Sequence, residues 1–179
     1  MHTSQNLIKM DSITYYNSIG KSYNSLYLKE QESKIRFLLS KISLKGSDKI
    51  LDVGAGSGIL ESILPENNIT AIEPSDMADM IVKKGFKNVS VVKKRIQDFD
   101  SNEKFDVVFC ITVMQDIEET DRKGIIKKLF ALTAENGHLL ISVLKASNID
   151  LSGLNPTESG YIENDRFFIF FNNSKSFLS

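Results

Sequence analysis

The sequence predicts an α/β fold, in which a Rossmann-like, doubly wound and mainly parallel sheet is flanked by helices. The first observation is that short apolar runs alternate with helical stretches between residues 49 and 144, as expected for parallel strands joined by crossover helices. The second is that Tyr161–Phe171 is interrupted by Asn164-Asp165, which predicts a shortened C-terminal β-hairpin. The 179 residues are 41% hydrophobic and 25% charged, values typical of a globular domain.

The first predicted element is a long amphipathic helix. Apolar residues from Ile13 to about Ile42 recur at helical spacing, and we expect Gly20 to bend or divide the helix. We assign residues 1–46 to an N-terminal helical lid or cap, and residues 47–179 to the sheet domain.

Five strands and three helices are predicted within the sheet domain. The strands are Lys49–Val53, Ile69–Ile72, Val89–Val92, Phe105–Ile111 and His138–Val143. The helices are Ser57–Leu64, Ser75–Lys84 and Glu118–Ala134. Ser75 is a natural N-cap for the second of these helices, and Gly85 follows its last residue.

Composition excludes several classes of protein. The 22 Lys and Arg residues balance 23 Asp and Glu residues, so the net charge of −1 gives no global attraction to nucleic acid or an anionic membrane. The apolar run Val107–Met114 is too short to cross a bilayer, and we expect a cytoplasmic protein without a membrane partner. One cysteine and two histidines argue against a disulfide or a metal centre, so no metal is expected.

The stretch most informative about function is the glycine-rich turn after the first strand. Glycines let a ligand approach the backbone closely, and a following helix offers free amides to a carboxylate or phosphate. Ile59 occupies the position where a dinucleotide-binding fingerprint requires its third glycine. The candidate ligand-binding residues of this stretch are Asp52, Gly54, Ala55, Gly56 and Gly58.

The pattern Asp52-x-Gly54-x-Gly56-x-Gly58 resembles motif I of the class I S-adenosylmethionine-dependent methyltransferases, and the resemblance extends over residues 13–144. It implies S-adenosyl-L-methionine as cofactor and S-adenosyl-L-homocysteine as product. It places Glu73, at the end of the second strand, on the ribose hydroxyls. The other cofactor-binding residues implied by the resemblance are Pro74, Met77, Asp98, Phe99 and Ile111.

Within these matches, Asp98 and Phe99 correspond to the family's contacts with the adenine amino group and ring. Met77 arrives one residue earlier than the family's methionine. The segment after the fourth strand reads Met114-Gln115-Asp116, where many small-molecule members carry a Leu-His-His-like stretch. We therefore expect Gln115 to border the substrate and Asp116 to be the candidate general base.

The tyrosine-rich segment Tyr15–Tyr27 resembles the lid helix that precedes many small-molecule methyltransferase domains. The resemblance implies that Tyr16 and Tyr23 cover the methionine end of the cofactor. These two residues are seven positions apart and share a helix face. An aromatic face also stabilises a nearby sulfonium cation.

The resulting hypothesis is methyl transfer to an O, N or C nucleophile of an unidentified small-molecule substrate. One alternative is a non-catalytic subunit or regulator that binds S-adenosylmethionine. Another is an RNA or protein methyltransferase, because Lys83–Arg95 is a basic stretch that lacks acidic residues. A nicotinamide-dependent oxidoreductase on the same architecture is a further alternative, which Ile59 disfavours. The oligomeric state is left open.

Overall fold

The computed structural model describes residues 11–173, apart from the side chains at positions 20, 21 and 23–26. The described helices are Ser12–Leu39 (α1), Ile59–Ile63 (α2), Ala78–Lys84 (α3) and Glu119–Leu132 (α4). The described strands are Lys49–Val53 (β1), Asn68–Ile72 (β2), Val89–Val92 (β3), Phe105–Ile111 (β4), Thr133–Leu144 (β5), Glu158–Ile162 (β6) and Asp165–Phe171 (β7).

All seven strands form one sheet in the order β3-β2-β1-β4-β5-β7-β6. The first five strands pair in parallel, whereas β7 is antiparallel to both β5 and β6. This arrangement confirms the predicted Rossmann-like, mainly parallel fold. The chain order reverses between β1 and β4, so a crevice opens beside the carboxyl ends of these two strands, where such folds bind ligands.

The predicted C-terminal hairpin is confirmed, and it completes the sheet. β7 pairs with β5 from Phe171, opposite His138, to Asp165, opposite Leu144. The turn begins at Glu163, whose φ of 48° is left-handed, so it lies one residue earlier than the predicted Asn164-Asp165 turn.

The helices differ from the predictions at Gly20 and at several of their ends; α1 ends at Leu39 rather than about Ile42, and α2 begins at Ile59 rather than Ser57. α1 continues through Gly20, because a helical glycine costs only about 1 kcal/mol and the C-terminal half of the helix is anchored by buried Ile35 and Leu38. α3 begins at Ala78 rather than beside Ser75. The Ser75 Oγ accepts from the Met77 amide at 3.2 Å, but the amides of Ala78 and Asp79 donate to carbonyls three residues back, so the chain forms a turn before the helix.

The start of β5 also differs from the prediction. α4 ends at Leu132, and β5 begins directly at Thr133, five residues before the predicted His138. Phe105 pairs with Thr133, and the register then shifts before Val107 pairs with His138. Residues 133–137 include polar side chains and a glycine, so a prediction based on apolar runs did not include them in the strand.

The core lies on both faces of the sheet, and β4 contributes to each face in alternation. Val108 and Cys110 face the cluster that includes the α4 residues, whereas Val107 and Phe109 face the cluster that includes α1 and α2. The C-terminal half of α1 is thereby fixed against the sheet. None of the helices within residues 11–173 has the length and apolar character needed to cross a membrane.

Candidate functional site

A cavity of about 310 Å³ opens at the carboxyl edge of the sheet, beneath the N-terminal part of α1. Its floor is formed by the segments that follow four adjacent strands. These segments contribute Gly54 and Gly56 after β1, Glu73 to Ser75 and Met77 after β2, Arg95 to Gln97 after β3, and Thr112, Val113 and Gln115 to Ile117 after β4. The volume lies within the range of small-molecule sites in proteins.

The glycine-rich turn forms the centre of this floor. Gly54, Gly56 and Gly58 all have positive φ values, of 76°, 57° and 80°, which L-residues with side chains rarely adopt. A Cβ atom at Gly54 would lie 2.3 Å from Cγ2 of Val113. The Gly54 and Ala55 amides donate to the Ile72 carbonyl at 2.8 and 3.0 Å, which ties the turn to β2.

Three residues of the predicted motif do not line the main cavity. Asp52 and Ala55 instead line a small cavity of about 30 Å³ next to the turn. Gly58 is the N-cap of α2, and its side of the turn faces Ile81 and Glu61. These residues therefore shape the turn from behind, while Gly54 and Gly56 lie at its open surface.

Glu73 is held in one orientation at the middle of the crevice. Its side chain is 6% exposed, and its Oε2 accepts a hydrogen bond from the Gly56 amide at 2.8 Å. Its Oε1 accepts from the Ser75 amide at 2.9 Å and from the Ser75 hydroxyl at 2.6 Å. Protein donors thus preorganise this carboxylate. Oε1 already accepts two hydrogen bonds, whereas Oε2 accepts one and keeps an acceptor position for a ligand hydroxyl.

A second buried carboxyl group, which the sequence reasoning missed, lies close behind the turn. Glu61 of α2 is fully buried, and its burial raises its pKa to about 7. Burial, followed by the charges of Glu61 and Glu73, raises the pKa of Asp52 well above its usual range. The Asp52 and Glu61 pair is therefore disposed to retain a proton near neutral pH, which reduces the negative charge behind the glycine turn.

The end of β3 places different residues at the cavity from those predicted. Ile96 and Gln97 line the cavity, whereas Asp98 and Phe99 do not. Residues 96–98 form a 3-10 turn, in which each residue rotates the chain by about a third of a turn, and Asp98 is exposed. Phe99 is buried in the core beside Ile96.

The end of β4 brings Ile111, Gln115 and Asp116 to the cavity, as the motif spacing predicts. Thr112 between them has a φ of 57°, an uncommon value for a β-branched residue. The Gln115 Nε2 donates to the Thr112 carbonyl, and this hydrogen bond does not involve the side-chain amide oxygen. That oxygen, Oε1, is buried and has no hydrogen-bond partner within the described part of the chain.

Helix α1 crosses above these segments and contacts several of them. The Tyr16 hydroxyl donates to Oδ2 of Asp116 at 3.1 Å, and Oδ1 of Asn17 accepts from the Asp76 amide at 2.7 Å. Tyr16, Tyr15 and Tyr27 line the cavity. The predicted partner of Tyr16, Tyr23, has a side chain that lies outside the described part of the structure.

A buried ionic network anchors the other end of α1, and the sequence reasoning did not predict it. Lys34 and Asp165 are both fully buried, with Nζ and Oδ1 2.9 Å apart. The Lys34 ammonium also contacts Glu30 Oε1 at 2.7 Å and Thr112 Oγ1 at 3.3 Å. Oδ2 of Asp165 accepts from the Thr112 and Ser142 hydroxyls at 2.7 and 2.6 Å, so the network reaches the cavity wall.

The described residues do not point to a metal centre. Across residues 11–173, no three His, Cys, Asp or Glu side chains are grouped so that they could hold a metal ion. Cys110 is buried in β4, and burial raises the pKa of its thiol to about 12, so it is not a thiolate ligand at neutral pH.

Comparison with known proteins agrees with the architecture of the sheet and crevice. Magnesium protoporphyrin IX methyltransferase from Synechocystis PCC 6803, solved with bound SAM, aligns with a TM-score of 0.72 at 15% identity over 90% of this chain and 95% of that one. The N-methyltransferase NodS from Bradyrhizobium japonicum WM9, solved with S-adenosyl-L-homocysteine, gives a TM-score of 0.68 at 17% identity over 82% and 87% of the two chains.

A sequence relative is the ubiquinone biosynthesis O-methyltransferase of Rickettsia canadensis, which is 26% identical over 121 residues. That match covers 62% of this chain and 50% of the relative, so this chain matches about half the length of the longer protein. The family described as "Methyltransferase domain" matches residues 27–170. Because this match covers most of the sequence, the chain belongs to the methyltransferase-domain family.

Proposed function

We propose that this chain binds S-adenosyl-L-methionine in the cavity under α1 and transfers its methyl group to a small molecule. The observation that carries the proposal is the pairing of an open glycine turn with an oriented carboxylate. Gly56 and Glu73 share a 2.8 Å hydrogen bond, which fixes the distance between the backbone turn and the carboxylate. S-adenosylmethionine joins a nucleoside to an amino acid, so its ribose needs the carboxylate and its amino-acid part needs the turn within the length of one ligand.

The order of the strands supports a direction for the cofactor. The segments after β3, β2, β1 and β4 follow one another along the crevice, and three strand spacings amount to about 14 Å. We assign the adenine to the β3 end, the ribose to Glu73, and the methionine part to the glycine turn. The methyl group then lies near the end of β4, beside Gln115 and Asp116.

The proposed orientation of the cofactor assigns a role to individual residues. Gly54, Gly56 and Ile111 border the methionine part, and Tyr16 covers it from α1. Pro74, Met77, Ile96 and Gln97 surround the adenine, so Ile96 and Gln97 take the roles that the family resemblance implied for Asp98 and Phe99. Asp52, Ala55 and Gly58 support the turn from behind.

In the proposed reaction, the acceptor nucleophile attacks the methyl carbon in line with its bond to sulfur. The sulfonium is a good leaving group, so the protein contributes mainly by alignment and by exclusion of water. Alignment alone supplies up to about 7–11 kcal/mol of the barrier. Helix α1, about 42 Å long, covers the crevice, and its contacts with Asp116 and Asp76 hold it there.

A small acceptor is favoured over a nucleic acid, because two of the six basic residues in the stretch 83–95 are paired with carboxylates of the chain. Lys93 contacts Asp76 at 2.9 Å and Asp79 at 3.5 Å, and Arg95 contacts Asp11 at 3.2 Å. These carboxylates reduce the positive potential that a phosphate backbone would need.

The test is incubation of the purified protein with methyl-labelled S-adenosylmethionine and a small-molecule cell extract. We expect label in the low-mass fraction, lost in Gly56→Arg, which blocks the turn at a φ of 57°. Gly46→Arg is the matched control, because position 46 precedes β1 at the opposite edge and has open space around it. Tight cofactor binding without transfer to any extract would contradict the proposal and support a non-catalytic subunit.

A further inference from the structure

We propose that the methyl acceptor is an amine, bound between Gln115, Asp116 and the tyrosines of α1. This inference rests on the proposed function, because it takes the end of β4 as the place where the methyl group is transferred. It names the chemical class of the substrate, which neither the fold nor the family determines.

The end of β4 offers hydrogen-bond acceptors to a substrate. One N–H of the Gln115 Nε2 donates to the Thr112 carbonyl, and the Gln115 Oε1 is buried with no hydrogen-bond partner in the part of the chain that is described. The neighbouring Asp116 carboxylate is an acceptor when ionised. An amine brings N–H donors to these oxygens, whereas a carboxylate or phenolate substrate brings none.

The two basic side chains in the described cavity lining are already paired with carboxylates. The Lys34 ammonium directs its hydrogens to Glu30, Asp165 and Thr112. The other basic side chain, Arg95, lies after β3, about 14 Å from β4 by strand spacing, and contacts Asp11. Among the described lining residues, an anionic acceptor at the end of β4 would therefore face carboxylates and no basic side chain that is not already paired.

The transition state for methylation of an amine carries a positive charge. When a neutral amine attacks a sulfonium, the positive charge persists and spreads from sulfur to nitrogen. The nearby Asp116 carboxylate stabilises that charge at both positions. The rings of Tyr15 and Tyr16, in edge-to-face contact with centroids 5.4 Å apart, line the same cavity and can stabilise a cation through their faces.

The chemical step balances with these groups alone. The bound ammonium first loses one proton to solvent through the Asp116 carboxylate. The lone pair of the resulting neutral amine nitrogen forms the new N–C bond, and the electron pair of the C–S bond passes to sulfur. S-adenosyl-L-homocysteine leaves as a neutral thioether, and the methylated nitrogen carries the positive charge. Its surplus proton passes through the Asp116 carboxylate to solvent, which regenerates a neutral amine product.

The test measures the affinities of three probes of similar shape for the protein loaded with S-adenosyl-L-homocysteine. The probes are benzylammonium, benzyl alcohol and benzoate, and the dissociation constants come from NMR titrations. We expect benzylammonium to bind about tenfold or more tightly than either of the others, the fold-change of one hydrogen bond to a charged group. Equal affinities, a preference for benzoate, or no binding of any probe would overturn the proposal.

Two variants connect this preference to the proposed residues. Asp116→Asn and Gln115→Leu should each reduce the preference for benzylammonium, whereas Glu119→Gln, on the exposed first turn of α4, should retain it. The titrations are repeated without S-adenosyl-L-homocysteine. A protein that fails to bind this nucleoside but keeps the benzylammonium preference would refute the proposed function and leave the amine site standing.

Discussion

The substitution Asp165→Asn removes the negative charge that faces the buried Lys34 ammonium while keeping the shape of the side chain. Asp165 accepts hydrogen bonds from Lys34 at 2.9 Å, Thr112 at 2.7 Å and Ser142 at 2.6 Å. Both charged side chains are fully buried. After the substitution, Glu30 is the carboxylate left in contact with the ammonium, and its side chain is 27% exposed.

The expected loss of stability arises because the buried Lys34 ammonium loses its fully buried partner and keeps the partly exposed Glu30 carboxylate. Removing one partner of a buried ion pair costs about 3–5 kcal/mol. In a domain of this size each kcal/mol lowers the midpoint by about 2–4 °C, so we expect a decrease of about 6–20 °C. Because Thr112 lies on the cavity wall, the variant should also bind S-adenosyl-L-homocysteine less tightly.

The measurement is thermal unfolding followed by circular dichroism. Glu103→Gln is the matched control, since the Lys49–Glu103 pair is about half exposed at both ends and its loss should leave the midpoint nearly unchanged. The double variant Lys34→Met/Asp165→Leu should be more stable than Asp165→Asn, because it removes both fully buried charges, and Glu30, which loses its lysine, is 27% exposed to water. A midpoint for Asp165→Asn equal to that of the control would refute the reasoning.

The remaining predictions concern the ribose ligand, the buried carboxyl pair and one open helical position. Glu73→Ala should weaken S-adenosyl-L-homocysteine binding by about 10-fold to 150-fold in calorimetry, the equivalent of about 1.5–3 kcal/mol, whereas exposed Glu66→Ala should not. Glu61 has its pKa raised from 4.5 to about 7, so the folded state retains its proton longer than the unfolded state. The free energy of unfolding should therefore fall by up to about 3 kcal/mol as pH rises from about 4.5 to 7, and chemical unfolding of Glu61→Gln across this range should show a smaller fall; an equal fall would contradict this reading. Gly124→Ala, at an exposed position inside α4 with open space around it, should raise the midpoint by about 1–4 °C, and a lower midpoint would count against the helix geometry.

The strands were predictable because buried parallel strands appear as short apolar runs. β1, β3 and β4 have the predicted bounds; the residues of β1 and β4 are largely buried, whereas those of the edge strand β3 are mostly half-buried. The glycine turn was also readable, because three alternating glycines after a buried strand have few explanations other than left-handed backbone. Both features depend on residues that are close together in the sequence.

The features that differ from the predictions depend either on contacts between distant residues or on local hydrogen bonds and turns that residue type alone does not predict. Lys34 and Asp165 are 131 positions apart, and no local pattern pairs a lysine of a helix with the first residue of a distant strand. Ser75 has the chemistry of an N-cap, and its Oγ accepts from the Met77 amide, but its hydroxyl also donates to the Glu73 carboxylate and a turn separates it from α3. Asp98 has the residue type expected of an adenine ligand, but the 3-10 turn places it outside the cavity lining.

Calorimetric titration of the purified protein with S-adenosyl-L-homocysteine, with NAD and NADP in parallel, tests the assigned cofactor site most directly. The site built from Gly54, Gly56 and Glu73 predicts one molecule of S-adenosyl-L-homocysteine bound per chain and no heat with either nicotinamide dinucleotide. Binding of NAD or NADP alone, or no heat with S-adenosyl-L-homocysteine, would contradict it.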